Sequence, residues 1–263
     1  MNDPANLSPR EARALIREGH IAGQTSGMCP GYAQCNLAAI PKKYADDFLR
    51  FAQRNPKPCP VLEVVPAGER LTKIVAKDAD VARDIPKYRV YEYGKLAGEY
   101  ADASGIWRDD LVAFLIGCSF SFEDALLRAG IPVRHIEQGR NVPMYHTNIP
   151  LAGAGVFGGN MVVSMRPMKP DEAALAAAVT ARFPRVHGDP VRIGDASKIG
   201  IADIARPDFG ESVTVKPDEV PVFWACGVTP QAAVMRAKLP FVITHAPGHM
   251  LITDTLNSAL AEG

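Results

Sequence analysis

Leu111 to Gly117 reads Leu-Val-Ala-Phe-Leu-Ile-Gly, seven residues with no polar break and no alternation. Such a run fits a strand buried on both faces, as in a parallel sheet covered by helices. Cys118, Ser119 and Ser121 follow at once. Ser121 and Asp124 have the Ser-x-x-Asp spacing of a helix N-cap with an acidic first turn, and Gly130 closes that helix. A strand end running into a helix N-terminus presents backbone N–H groups beside hydroxyls and a thiol, and the helix dipole favours an anion there. Ser119, Ser121 and Glu123 are therefore candidate contacts for a carboxylate, although capping alone accounts for serines in such places.

Charge and cysteine usage narrow the classes. The 263 residues carry 29 basic and 29 acidic side chains, a formal charge of zero. No basic stripe is left to follow a phosphate backbone, so nucleic acid is not an expected partner. The first forty residues contain Arg10, Glu11, Arg13, Arg17 and Glu18 and no apolar run. Neither a secretion signal nor a membrane span is read there, and a cytoplasmic protein with no membrane partner is expected. Cysteines at positions 29, 35, 59, 118 and 226 form no Cys-x-x-Cys pair and read as free thiols.

Along the chain, Ser8-Pro9-Arg10-Glu11 opens a helix that runs through Arg17 and ends at Gly19. His20 to Asn36, rich in glycine, hydroxyls and amides, reads as a loop that turns tightly or approaches a ligand. A helix is expected over Pro41–Arg54 and a strand over Pro60–Val65. Lys87–Tyr93 reads as an exposed or edge strand, suited to an interface in a homo-oligomer. Ile131–Ile136 is expected as a strand completing a right-handed strand-helix-strand unit. Asn160–Arg166 reads as a strand and Asp171–Phe183 as a helix, after which Val222–Gly227 and Phe241–His245 are expected to resume the main sheet.

The expected fold class is α/β: a mixed, largely parallel sheet covered by helices, with a smaller inserted two-layer α/β domain. Residues 1–147 and 216–263 form the main domain in this reading, and residues 148–215 the insert. The strands at Gly117, Cys226 and His245 all end in polar residues and glycine, which argues for one composite site at strand ends.

Several residues there have usable chemistry. His245 and His249 lie four apart across Pro247-Gly248, with Asp254 five further on. Imidazole exchanges protons near neutral pH. The His-x-x-x-His spacing also suits zinc on a helix, but Pro247 and Gly248 argue against a helix, and no metal is called for. Cys226-Gly227-Val-Thr229-Pro230 is a second strand-to-helix junction, with Thr229 placed to cap. A thiol at a helix N-terminus acts as base or nucleophile when its pKa falls. Cys118 and Cys226 facing one site would suit a two-thiol amino-acid racemase or epimerase; both also fit as small buried residues. Arg134, Arg140 and Arg166 lie at or after expected strands, where a guanidinium could hold a substrate carboxylate. No glycine-rich dinucleotide fingerprint or Walker loop is present, so no cofactor is expected.

Longer motifs carry a resemblance. Thr25-Ser-Gly-Met-Cys-Pro-Gly-Tyr-Ala-Gln, Asn55-Pro-Lys-Pro-Cys-Pro, Gly117-Cys-Ser-Phe-Ser-Phe-Glu, Val133-Arg-His-Ile-Glu and Asn141-Val-Pro-Met-Tyr are five of them. Val163-Ser-Met-Arg-Pro, Phe223-Trp-Ala-Cys-Gly-Val-Thr-Pro-Gln and Ile243-Thr-His-Ala-Pro-Gly-His-Met complete the set. Together they resemble the D-glutamate cyclase family of hydro-lyases over nearly the whole chain. The resemblance implies two α/β domains and a cofactor-free lyase that removes water, with closure of D-glutamate to 5-oxo-D-proline as the named reaction. His146 departs from the family's pattern, which has arginine there, so an anion-binding guanidinium is missing at that position.

From residue chemistry, His245 or His249 would then handle protons with Asp254 orienting one of them. N–H groups after Cys118 and Cys226 would stabilise an oxyanion, and Arg134, Arg140 or Arg166 would hold the α-carboxylate. A racemase and a non-catalytic amino-acid-binding protein remain the alternatives to a hydro-lyase.

Overall fold

A computed structural model describes residues 7–261. Helix α1 (Pro9–Arg17) begins as its sequence predicts. The Ser8 hydroxyl accepts from the Glu11 N–H, the Glu11 carboxylate accepts from the Ser8 N–H at 2.9 Å, and Gly19 takes the left-handed φ of +76° that ends the helix. The glycine-rich segment after it stops at Gly31. From there β1 (Tyr32–Pro41) runs through the centre of the larger sheet.

In that sheet β2 (Val61–Val65) lies beside β5 (Leu111–Gly117), β5 beside β1, and β1 beside β10 (Val242–His245). Next come β3 (Tyr88–Glu92) and then β4 (Lys95–Tyr100) at the edge, while β11 (Leu251–Leu256) pairs with the first half of β1. The smaller sheet has the order β6 (Met144–Pro150), β7 (Asn160–Met168), β9 (Val220–Ala225) and β8 (Arg192–Ile193).

The α/β class holds, but the expected largely parallel sheet does not: every pairing between these strands is antiparallel. β5 is indeed buried at all seven positions. Burial on both faces records that both are covered, and says nothing about strand direction. Val222–Ala225, expected in the main sheet, pairs instead with β7 from Val163 to Arg166. Ile131–Ile136 is no strand; a short helix α4 (Arg134–Glu137) stands there. The edge role expected of Lys87–Tyr93 falls to β4, whose positions are almost all exposed. Residues 37–41, read as nothing in particular or as a helix start, belong to β1. Helix α2 (Ala45–Arg54) begins after a turn of 3-10 helix.

Helix α3 (Phe120–Arg128) follows β5, α5 (Pro170–Ala181) follows β7, and α6 (Val228–Arg236) follows β9. On one face of the larger sheet, Ala38, Ile40 and Phe114 pack under α2 and α6, with Phe48 edge-on to Phe114 at 4.7 Å. On the other, Leu37 and Leu115 share a core with Phe122 of α3, Ala176 of α5, and Val222 and Trp224 of β9. The small sheet is thus docked onto the large one through α3 and α5. No helix among the described residues is long and apolar enough to cross a membrane.

Candidate active site

Two strand-to-helix junctions meet where the sheets dock. β5 runs through Gly117-Cys118-Ser119 into α3, and β9 runs through Cys226-Gly227 into α6. Cys118 and Cys226 share one buried cluster with Val142, Val162 and Met250. Asn36, on β1, joins the junctions. Its Nδ2 donates to Ile116 O at 3.2 Å and Gly117 O at 2.9 Å, while its amide lies so close to Gly227 that a Cβ there would collide with it.

Beside the junctions lies a buried ionic cluster. Arg166, on β7, is completely buried. Its Nε donates to Glu123 Oε1 at 3.1 Å, Nη1 to Ser164 Oγ at 3.1 Å and Nη2 to Ser119 Oγ at 3.1 Å. The guanidinium carbon stands 5.2 Å from the Phe122 ring centre and 5.4 Å from that of Trp224, so two aromatic faces cover the cation. His135 Nε2 lies 3.1 Å from Glu123 Oε1, and the His135 ring stacks on Phe120. Ser26, from the loop before β1, reaches Glu123 Oε2 at 3.3 Å. Burial alone would raise the Glu123 carboxyl, but the adjacent His135 and Arg166 hold it down to about 2. Glu123 is ionised at neutral pH and its charge is spent on these two partners.

Both thiols stay protonated. Burial pushes Cys118 well above its ordinary value, with the Phe120 N–H working the other way, and pushes Cys226 up to about 11. The two thiols belong to one buried apolar cluster. The two-thiol reading expected a thiolate; the buried setting opposes one.

Other expected site residues have different work. Ser121 does not cap α3, which begins at Phe120. Its hydroxyl instead accepts the Gln34 N–H at 3.0 Å and prolongs the β1 ladder beyond the end of β5. The Thr229 hydroxyl closes onto the Val162 backbone. Arg134 is held by Glu219, Glu137 and Thr214 O, and Arg140 by Ser212 O, so neither reaches the Arg166 cluster.

The histidine–aspartate group does not assemble either. His245 is buried where β1 passes from its pairing with β10 to its pairing with β11, and its Nδ1 meets Leu37 N at 3.1 Å and Leu37 O at 3.2 Å. Burial lowers its pKa to about 4. His249 Nδ1 lies 3.0 Å from Pro247 O, and burial together with Lys87 and Arg89 lowers its pKa. Asp254 binds Arg13 through both oxygens and accepts from the Lys77 N–H, so it orients neither histidine. A β-strand carries Asp254 away from the Pro247-Gly248 turn, and sequence spacing could not reveal that. No group of three or more His, Cys, Asp or Glu able to hold a metal occurs among the described residues.

Of the expected set, the structure brings together Cys118, Ser119, Glu123, Arg166, Cys226 and Gly227. It adds Asn36, His135, Ser164 and Ser26, which residue chemistry had left unassigned although three of them stand in the long motifs. An open cleft of about 650 Å³, walled by Arg10, Arg13, Arg17, Lys77 and Asp254, shares no residue with the cluster.

The family described as D-glutamate cyclase matches residues 112–254, which span both junctions and the ionic cluster except Asn36 and Ser26. A protein of Clostridium beijerinckii named "Putative hydro-lyase" is 61% identical over 255 residues, 97% of each chain. One of Bordetella petrii with the same designation is 58% identical over 98% of each chain. Bacillus subtilis YcsI, also so named, is 57% identical over 97% of this chain and 99% of its own. A solved nitrogen repressor-like protein of Methanococcus jannaschii aligns with 91% of this chain and 96% of its own at 11% identity. Its TM-score of 0.39 is too low to carry any argument.

Proposed function

The chain belongs to the D-glutamate cyclase family, and on that premise we propose that it is a hydro-lyase of a small amino or carboxylic acid, closing D-glutamate to 5-oxo-D-proline. The observation that carries this reading is the buried Glu123–Arg166–His135 cluster set against two converging strand-to-helix junctions.

Ring closure makes definite demands. The amine must be neutral, its lone pair must reach the side-chain carboxyl carbon, and the oxygen lost from that carbon must leave as water. The proton shed by nitrogen balances the hydroxide that leaves. Backbone N–H groups at the starts of α3 and α6 supply partial positive charge for a carboxylate or a developing oxyanion. Arg166, placed by Glu123, Ser119 and Ser164, adds a guanidinium to the same region, its charge shared with Glu123. His135, hydrogen-bonded to Glu123, is the proton carrier in this proposal, in place of His245 and His249. Cys118 and Cys226 act as protonated, apolar walls.

Proton NMR of the purified protein with D-glutamate in deuterated buffer tests this. Growth of 5-oxoproline signals is expected, and their loss in Arg166→Met, while the fold persists, supports the assignment. Exchange of the α-proton without 5-oxoproline would assign a racemase. Ligand-induced stabilisation with neither change would assign a binding protein.

A further inference from the structure

Asn36 is 1% exposed, and its amide is oriented unambiguously because Nδ2 serves two carbonyls, Ile116 O and Gly117 O. Oδ1 therefore faces the other way, buried and without a partner in the protein. Buried carbonyl oxygens are normally satisfied, so this acceptor calls for a donor. Its surroundings are the Gly117-Cys118 and Cys226-Gly227 turns, where the proposed reaction takes place.

A second amide repeats the arrangement. Asn141 Nδ2 donates to Pro247 O at 3.2 Å, its buried Oδ1 is unpartnered, and a Cβ at Gly248 would stand 2.7 Å from that oxygen. Its neighbour in sequence, Val142, packs in the cluster that holds both thiols. Each amide is thus pressed on a glycine with its Nδ2 hydrogen-bonded and its buried Oδ1 without a partner.

We infer that Asn36 Oδ1 receives an N–H of the substrate's amino group, so that the site selects compounds bearing an amine beside the carboxylate. This rests on the hydro-lyase reading and names the feature of the substrate that it recognises. A neutral amide oxygen suits the task. A free carboxylate would hold the nitrogen as ammonium and keep its lone pair from attack; the carboxylate present, Glu123, is taken by Arg166 and His135. An amide acceptor orients a neutral amine without paying for its protonation. Then nitrogen bonds to the side-chain carboxyl carbon, the C–OH bond breaks, and the departing hydroxide takes the proton from nitrogen to leave as water. The loop before β1 lies against this region, where Thr25 N–H donates to Gly248 O at 2.8 Å and Ser26 contacts Glu123.

Binding of D-glutamate and of glutarate, which differ by the amine alone, tests the inference on the wild-type protein and on Asn36→Leu. The wild type is expected to favour D-glutamate on the order of ten- to a hundredfold, the range for satisfying a buried polar group. Asn36→Leu is expected to bind both alike, with its glutarate affinity near that of the wild type; a merely structural role would weaken both ligands together. Equal affinities in the wild type overturn the inference and leave the hydro-lyase reading standing, and need no folded variant. Binding of neither compound overturns both.

Discussion

The Asn36 amide lies flat against Gly227, joining the central strand of the large sheet to the turn that leaves the small one. Gly227 has φ near −65°, which alanine also adopts, so the side chain is excluded by Asn36 and not by the backbone. Gly227→Ala is expected to cost about 1–3 kcal/mol through overpacking. Asn36→Ala in the same chain should recover part of that loss, a coupling that urea denaturation of the single and double variants measures.

Glu123→Gln removes the charge that compensates a fully buried guanidinium. The expected loss is about 3–5 kcal/mol, as for a broken buried ion pair. Arg108→Ala, which breaks a bidentate pair with Asp110 on the surface, should change stability by less than about 1 kcal/mol. Comparable losses in the two variants would contradict the ionic role assigned to Glu123.

Acid should destabilise the protein in two stages. His187 and His245 are buried and neutral, with pKa values lowered by burial from 6.5 to about 4. The unfolded chain binds protons at these sites first, so their contribution is whole above pH 6.5 and is lost as pH falls through 4. Glu123, held to about 2 against an ordinary 4.5, gives a contribution present above 4.5 and lost as pH falls through 2. Urea midpoints should therefore begin to decline as pH falls below 6.5, above the window in which the Glu123 contribution is lost. A His187→Gln, His245→Gln double variant should show a flatter decline.

All five cysteines are buried and free. Iodoacetamide at pH 8 should leave Cys118 and Cys226 unmodified in the native protein and alkylate both after unfolding, as mass spectrometry would show. Rapid native labelling of either would restore the thiolate chemistry of a racemase.

Local signals were legible. The Ser8 capping box, Gly19, Gly130, the apolar run of β5 and the helix after Pro170 are written in neighbouring residues, and each stands where it was read. The family was legible from its long motifs; Cys118, Ser119, Glu123, Arg166 and Cys226, named from residue chemistry, are residues that the fold packs near one another. Strand direction was not, because an apolar strand has the same composition beside a parallel or an antiparallel neighbour.

β1 was hidden in a stretch whose glycines end at Gly31, and its polar Gln34 and Asn36 masked a buried strand. Only the tertiary structure gave the Asn36 amide its meaning, since its partners are 80 and more residues away at Ile116, Gly117 and Gly227. The same holds for the charges. Sequence supplied Asp254, Arg134 and Arg166 on equal terms. Docking of the two sheets buried Arg166 with Glu123 and His135 while leaving Asp254 to Arg13 and Arg134 to Glu219. Short-range order follows from neighbouring residues; which charge is desolvated, and beside what, is settled when distant strands close on one another.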